Sequence, residues 1–284
     1  MKKLVFILIA IALVFSVTAC GNESSTETPT NTPETQPPVE LEGTVSISGS
    51  TSVEKIGVAT AEEFMALNPK VNVTYEGIGS SNGVKNANDG VTQIGTASRA
   101  IKESEKAWGL TEVVIAYDGV AVITHPSNSI EGLTLEEVQA IFKGEITNWS
   151  EVGGQPGEIV VVSREEGSGT RGAFEEIVKF EGELTDNATV VEGNGGVQTT
   201  VAQNPSSIGY VSFTYINDSV KPMLIDEVIP TTENVLNGTY SVSRPFVVIY
   251  HDKNMTDASK AYVDFVLSPA GQKIVEEGGG IPVK

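Results

Sequence analysis

From residue 43 to the C-terminus, the spacing of apolar residues changes repeatedly between two patterns. Strand-like runs, in which apolar residues alternate or follow one another, occur at 44–48, 71–77, 113–124, 158–164, 207–212 and 245–251. Segments with helical spacing lie at 52–67, 133–144, 170–180 and 257–268. Strands that alternate with helices of this length predict an α/β fold with mixed, mostly parallel sheets flanked by helices.

The N-terminal part of the chain does not follow this pattern. Residues 1–19 combine a basic start with a long apolar run, as a signal peptide does. Val17-Thr18-Ala19-Cys20 resembles the lipobox of bacterial lipoproteins, which implies a lipid on Cys20, the only cysteine, and a cell-membrane location on the extracytoplasmic face. An uncleaved anchor or an ordinary signal peptide are the alternatives. Residues 20–42 are rich in Pro, Thr and Glu and predict a disordered tether.

The charge of the chain excludes some partners. The formal net charge is −19, and removal of residues 1–19 leaves 16 basic against 37 acidic residues, or −21. Such an acidic surface argues against nucleic acid and against electrostatic docking on anionic lipid. It does not exclude a small anion, because local donors decide that binding and surface charge is screened beyond about 8–10 Å. We expect no metal site and no cofactor, since one cysteine and two distant histidines offer no ligand spacing.

Four segments rich in Gly, Ser and Thr lie at predicted junctions between a strand and the helix or turn that follows it. They are 48–55 (SGSTSVEK), 77–83 (GIGSSNG), 95–99 (GTASR) and 164–174 (REEGSGTRGAF). Unpaired backbone N–H groups at a helix start favour anions, and hydroxyls and an arginine fork add donors. Arg164 or Arg171 could supply that fork. Taken singly, each segment is also an ordinary helix cap or turn.

Two short motifs suggest an enzyme instead. Residues 79–83 match G-x-S-x-G, which would make Ser81 a nucleophile, but a nucleophile needs a base. The only histidines are His125, in a predicted loop before Pro126, and His251, at the end of a strand, and both are expected at the surface. Residues 52–55 match S-x-x-K, without the partner motifs of penicillin-recognising enzymes. We therefore expect no enzyme, with a surface serine hydrolase as an alternative.

Taken together, the four segments and "IFKGEITNWSEVGG" resemble the PstS-like phosphate-binding proteins of bacterial ABC transporters. The resemblance implies a type II periplasmic-binding-protein fold, in which two lobes close around inorganic phosphate and the closed form docks on a membrane permease. A monomer is expected. We place the crossovers between lobes near 117–120 and 240–245, so that lobe I holds 43–117 and 245–284 and lobe II holds 118–244.

The resemblance also implies which residues hold the anion. Arg164 would supply the charged fork, and Glu166 would hold that arginine in place. The remaining donors would be Thr51, Ser52, Ser80, Ser168, Gly169 and Thr170.

One position departs from the family pattern. Well-known members carry an aspartate where this chain has Ser98, and that aspartate accepts the proton of hydrogen phosphate and excludes sulfate. A hydroxyl can also accept a proton, so Ser98 is kept as a phosphate ligand, but the discrimination is not carried over. The same fold serving sulfate, molybdate or tungstate is the main alternative, and a sensory or adhesive module is another.

Overall fold

A computed structural model describes residues 40–283 of the chain. The predicted signal peptide, Cys20 and nearly all of the tether lie outside the described residues. The strands are β1 (Gly43–Gly49), β2 (Val71–Gly77), β3 (Ile94–Ala97), β4 (Thr111–Thr124), β5 (Gly132–Leu133), β6 (Val160–Arg164), β7 (Thr189–Val191), β8 (Ser207–Ser212), β9 (Lys221–Pro222), β10 (Leu224–Ile225), β11 (Ser243–Tyr250) and β12 (Ile281–Pro282). The α-helices are α1 (Glu54–Leu67), α2 (Ser80–Asp89), α3 (Glu103–Lys106), α4 (Leu135–Lys143), α5 (Gly169–Val178), α6 (Gly193–Gln203), α7 (Thr232–Leu236), α8 (Asp257–Leu267) and α9 (Pro269–Glu277). Three 3-10 turns lie at Trp149–Val152, Phe213–Tyr215 and Asp252–Asn254.

One mixed sheet carries most of the strands, in the order β2-β1-β3-β11-β4-β8-β6-β7, with β9 and β12 also paired to β4. The outer strands pair in parallel, because the chain returns through α1, α2, α5 and α6 between them. The central strands β3, β11, β4 and β8 pair antiparallel. The predicted mixed α/β sheet is thus confirmed, with antiparallel pairing at its centre.

The buried apolar side chains form two large clusters. The first draws on Val45 to Ala116 and on Phe246 to Val275, and the second draws on Val120 to Val242. Strand β4 belongs to both, since Ile115 lies in the first cluster and Val122 in the second. The lobe boundaries that the sequence predicts fall between these two sets of residues, and they stay a prediction.

Local signals in the sequence account well for the helix ends. Thr134 caps α4 by accepting from the backbone N–H of Glu137, whose side chain accepts from the backbone N–H of Thr134, which is the capping box that a Thr three residues before a Glu favours. Gly144 ends the same helix with φ +77°, a backbone conformation that favours glycine. The apolar face of α1 is buried at Ile56 and Phe64, whereas Leu67, the last residue of the helix, is 61% exposed.

No α-helix within residues 40–283 is long and apolar enough to cross a membrane.

Candidate functional site

Four helices begin at one place in the fold, and each brings polar groups to it. Thr51 and Ser52 precede α1, Ser80 opens α2, and Gly169 opens α5. The fourth is α6, whose second residue is Asn194. Helix starts carry unpaired N–H groups and the positive end of the helix dipole, so their convergence creates an environment suited to an anion.

Hydrogen bonds join the start of α1 to residues far along the chain. The Ser52 Oγ lies 2.9 Å from the Thr170 Oγ1, and the Asn194 Nδ2 donates to the Ser52 Oγ at 2.9 Å. Asn194 also donates to the Thr51 Oγ1 at 3.2 Å. Ser52, Thr170 and Asn194 are all buried, so these polar groups are sheltered from bulk water.

The second and third segments meet the start of α5. The Ser98 backbone N–H donates to the Ser80 Oγ at 3.1 Å, and the two serine hydroxyls are 3.4 Å apart. A Cβ built on Gly169 would overlap the Ser80 hydroxyl and lie 2.8 Å from the Ser98 Oγ. Position 169 therefore requires glycine for this close approach. Ser168 caps α5 by accepting from the Arg171 backbone N–H at 3.2 Å.

Arg164 lies at the end of β6 and is only 1% exposed. Its Nη1 donates to the Thr170 Oγ1 and its Nη2 donates to the Thr51 Oγ1, each at 3.3 Å. Arg164 is thus hydrogen-bonded to two of the residues that the sequence predicted as ligands beside it, Thr51 and Thr170. Six of the eight predicted ligands lie at the converging helix starts, and Ser98 and Arg164 lie beside them at the ends of β3 and β6. Their role as ligands remains a prediction.

The acid that holds Arg164 is not the predicted one. Glu165 accepts from the Arg164 Nε at 2.8 Å and from the Nη2 at 2.7 Å, whereas Glu166 is exposed. The prediction for Glu166 was wrong because the chain turns immediately after β6 and directs the side chain of Glu165 back along the guanidinium. Burial alone would raise the pKa of Glu165, but hydrogen bonds and charge from Arg164 outweigh burial and lower it.

Arg171, the other arginine that the sequence offered for the fork, pairs along its own helix. Its Nε donates to Glu175 at 2.6 Å, one turn further along α5, and its Nη1 donates to the backbone carbonyl of Arg164 at 3.1 Å. Arg171 thus supports the turn that presents Arg164.

Sequence reasoning missed three buried residues of the site. Asn194 follows the strand β7 in the sequence Glu-Gly-Asn-Gly-Gly, a fifth glycine-rich junction that the same criterion could have found. Asp118 and Arg244 carried no local signal, because they meet only through the pairing of β4 with β11. The Arg244 Nε and Nη2 donate to the Asp118 Oδ2 at 3.1 and 2.9 Å. Burial raises the pKa of Asp118, and the charge of Arg244 opposes that rise.

A cavity of about 430 Å³ lies beside the site. Thr51 and Gly79 line it together with three carboxylates, Glu165, Glu166 and Glu192. Among residues 40–283 there is no group of three or more side chains arranged to hold a metal ion.

The two enzyme motifs gain no support from their surroundings. Ser81 takes a hydrogen bond from the Arg99 Nη2 at 3.3 Å, while His125 is bonded to Ser127. No hydrogen bond within residues 40–283 joins a histidine to Ser81. Lys55, the lysine of S-x-x-K, donates to the Thr214 carbonyl at 2.7 Å and lies 4.0 Å from the centre of the Tyr215 ring.

Comparison with known proteins gives the class first. A family model described as the PBP superfamily domain matches residues 25–270. A mixed sheet flanked by helices, with the site at converging helix starts, fits this class of binding protein.

Individual relatives narrow the class. The phosphate-binding protein PstS of Bacillus subtilis is 32% identical over 291 residues, which cover 99% of this chain and 94% of that protein. PstS of Borreliella burgdorferi is 30% identical and covers 84% of this chain and 90% of its own. A crystal structure from Clostridium perfringens, assigned to a phosphate ABC transporter substrate-binding protein and containing bound phosphate, is 51% identical with a TM-score of 0.84 and covers 85% of this chain and all of that one. The chain therefore belongs to the PstS-like family of the PBP superfamily, and the resemblance found in the sequence is confirmed.

Proposed function

We propose that this protein captures inorganic phosphate at the converging helix starts and delivers it to the permease of an ABC importer. The observation that carries the proposal is the set of polar groups gathered beside Arg164 at the helix starts: Thr51, Ser52, Ser80, Ser98, Ser168, Gly169 and Thr170. The named relatives are phosphate-binding proteins, and one relative contains bound phosphate.

The electrostatics of the site suit an anion that is held by neutral hydrogen-bond donors more than by net positive charge. Glu165 balances the charge of Arg164 in a two-point ion pair, so the local excess of positive charge is small. Binding would then depend on hydroxyls and backbone N–H groups directed at the ligand, which are strong when they are sheltered from water. Such an arrangement is compatible with a chain whose net charge is −19.

The lobe assignment belongs to the same proposal. Segments 43–117 and 245–284 would form one lobe and segment 118–244 the other. Contacts between the segments are numerous at the site: the Tyr215 hydroxyl donates to the Thr51 carbonyl at 3.1 Å, and the Ser81 N–H donates to the Gly167 carbonyl at 3.1 Å. Hinge motion about the strands that join the lobes would open this contact and admit the ligand.

The location follows from the N-terminal sequence and the family. The structural relative from Clostridium perfringens is assigned to a phosphate ABC transporter as its substrate-binding protein, and we infer an extracytoplasmic location for this chain. Cys20 would carry a lipid anchor, and residues 20–42 would tether a monomeric binding domain to the cell membrane. Binding and release, without a catalytic step, would be its whole cycle.

Calorimetry on the protein stripped of endogenous ligand tests the proposal. Phosphate should bind with a stoichiometry of one, and competition with sulfate, molybdate and tungstate at several pH values should identify the preferred oxyanion. An absence of heat with phosphate, or a clear preference for another oxyanion, would refute the assignment of phosphate.

A further inference from the structure

Arg244 is a second buried arginine beside the site. It lies in β11, directly opposite Asp118 of β4, and is 4% exposed, while Asp118 is fully buried. Besides its pair with Asp118, Arg244 donates through its Nη2 to the Ser52 Oγ at 3.0 Å. Its Nη1 is buried and has no hydrogen-bond partner within residues 40–283, although buried donors are nearly always paired. A guanidinium serving only to neutralise Asp118 would not need the contact with Ser52.

The contact with Ser52 decides the direction in which its hydroxyl can donate. A serine hydroxyl has two lone pairs and one proton. The Ser52 Oγ accepts from the Arg244 Nη2 at 3.0 Å and from the Asn194 Nδ2 at 2.9 Å. The amide of Asn194 is oriented by its own Oδ1, which accepts from the Ser212 N–H at 3.0 Å. Both lone pairs of Ser52 are therefore taken, and its proton has to be donated elsewhere.

The direction of the Ser52 proton also determines that of the next hydroxyl, Thr170. The Thr170 Oγ1 lies 2.9 Å from the Ser52 Oγ and accepts from the Arg164 Nη1 at 3.3 Å. When Ser52 donates to it, the proton of Thr170 becomes free for another acceptor. Thr51 is in a similar state, since its Oγ1 accepts from Arg164 at 3.3 Å and from Asn194 at 3.2 Å. In this arrangement of the segments, contacts within the protein therefore order the hydroxyls of the site as donors.

We propose that Arg244 is a positioning residue of the anion site, which acts through Ser52 to fix the direction of these hydroxyl donors. The inference rests on the proposed function and extends it to a residue outside the predicted ligand set. In the closed form, protein contacts fix the direction of these donors and the ligand does not have to order them itself, so Arg244 would increase affinity without touching the ligand.

A double-mutant cycle tests this role. Arg244→Gln combined with Asp118→Asn removes both charges and leaves no buried carboxylate unpaired. We expect phosphate affinity to fall by about tenfold or more, in line with the loss of a charge-assisted hydrogen bond. In a Ser52→Ala background the same pair of changes should produce less than about a twofold further loss, because the group through which Arg244 acts is already gone. Arg244→Lys, which keeps the charge beside Asp118 but not the fork, should also lose affinity.

Tyr262→Phe provides the stability control, because it removes a buried hydroxyl that contacts the Thr60 Oγ1 at 2.8 Å and the Gly57 carbonyl at 3.2 Å, within the first core cluster. It should lower the unfolding temperature and leave phosphate affinity unchanged. Unchanged affinity in both Arg244 variants, or losses that multiply in full with Ser52→Ala, would overturn the role of Arg244. A wild-type protein that binds no phosphate would instead refute the proposed function.

Discussion

The hydroxyl oxygens of Ser52 and Thr170 lie 2.9 Å apart, although 118 residues separate them in the chain. This contact joins the start of α1 to the start of α5, and Arg164 reinforces it through its bond to Thr51. The site therefore forms where two segments that are distant in the sequence meet. A substitution in one segment should for that reason also disturb the donors of the other.

Replacement of Arg164 by alanine should weaken phosphate binding strongly. The loss of a charge-assisted hydrogen bond costs about 1.5–3 kcal/mol, or roughly tenfold to 150-fold in affinity. Calorimetry on the wild type and on Arg164→Ala measures this difference. Lys143→Ala is a control, since Lys143 pairs with Glu145 and Glu183 at 2.9 Å on the surface and should leave affinity unchanged. Equal affinities for Arg164→Ala and the wild type would remove Arg164 from the site.

Two glycines of α5 offer a matched comparison. Gly169→Ala should reduce both affinity and stability, because its Cβ would lie 2.8 Å from the Ser98 Oγ and would displace the Ser80 hydroxyl. Gly172→Ala, three residues later, meets nothing within 4 Å and should stabilise the protein by about 0.5–1 kcal/mol without changing affinity. Chemical denaturation measures the stability of both variants, and calorimetry measures their affinity for phosphate. The close approach would be disproved by a Gly169→Ala protein that behaves like Gly172→Ala.

The pairing of Arg164 with Glu165 predicts a pH dependence of stability. The pKa of Glu165 is lowered in the folded protein, so its contribution is fully present above the ordinary glutamate pKa and is lost as pH falls through the lower folded value. We expect the difference in unfolding temperature between the wild type and Glu165→Gln to shrink as pH falls from about 7 to about 3.

Glu166→Gln is the control for this measurement, because Glu166 is exposed and does not contact Arg164 in the structure. Its unfolding temperature should follow that of the wild type across the whole range. The reverse result, in which Glu166→Gln shows the pH-dependent loss and Glu165→Gln does not, would restore the original prediction from the sequence.

Ser98→Asp should sharpen discrimination between oxyanions. A carboxylate beside Ser80 would accept the proton of hydrogen phosphate and would face sulfate without a proton to share. Since an unmatched buried acceptor costs about 1–3 kcal/mol or more, the ratio of phosphate to sulfate affinity should rise by about tenfold or more. Competition titrations on both proteins measure the ratio. An unchanged ratio would show that position 98 does not face the ligand.

Cys20→Ser should release the protein from the membrane, if Cys20 carries the lipid. Fractionation and detergent phase partition of cells producing each form measure the effect, and phosphate affinity of the binding domain serves as the internal control. A variant that stays in the membrane fraction would show that residues 1–19, and not a lipid, hold the protein there.

Local sequence signals predicted the parts of the site that belong to a single junction. Glycine, serine and threonine at helix starts marked the four segments, because the cap and the turn impose those residue types locally, and the family resemblance then singled out Thr51, Ser80 and Gly169 within them. The residues that were missed depend on register: Asp118 and Arg244 are 126 residues apart and become neighbours only when β4 pairs with β11. The choice between Glu165 and Glu166 depended on the exact course of one turn, which residue types alone do not determine.

The division of buried residues between the two core clusters has a consequence for how the chain is made. The second cluster needs only residues 120–242, whereas the first needs residues 45–116 together with 246–275. During synthesis, the second cluster is therefore complete while the first still lacks its last contributors. Domains often fold from the N-terminus onward. In this protein we expect residues 120–242 to fold first, and residues 45–116 to complete their core only after residues 246–275 have been synthesised.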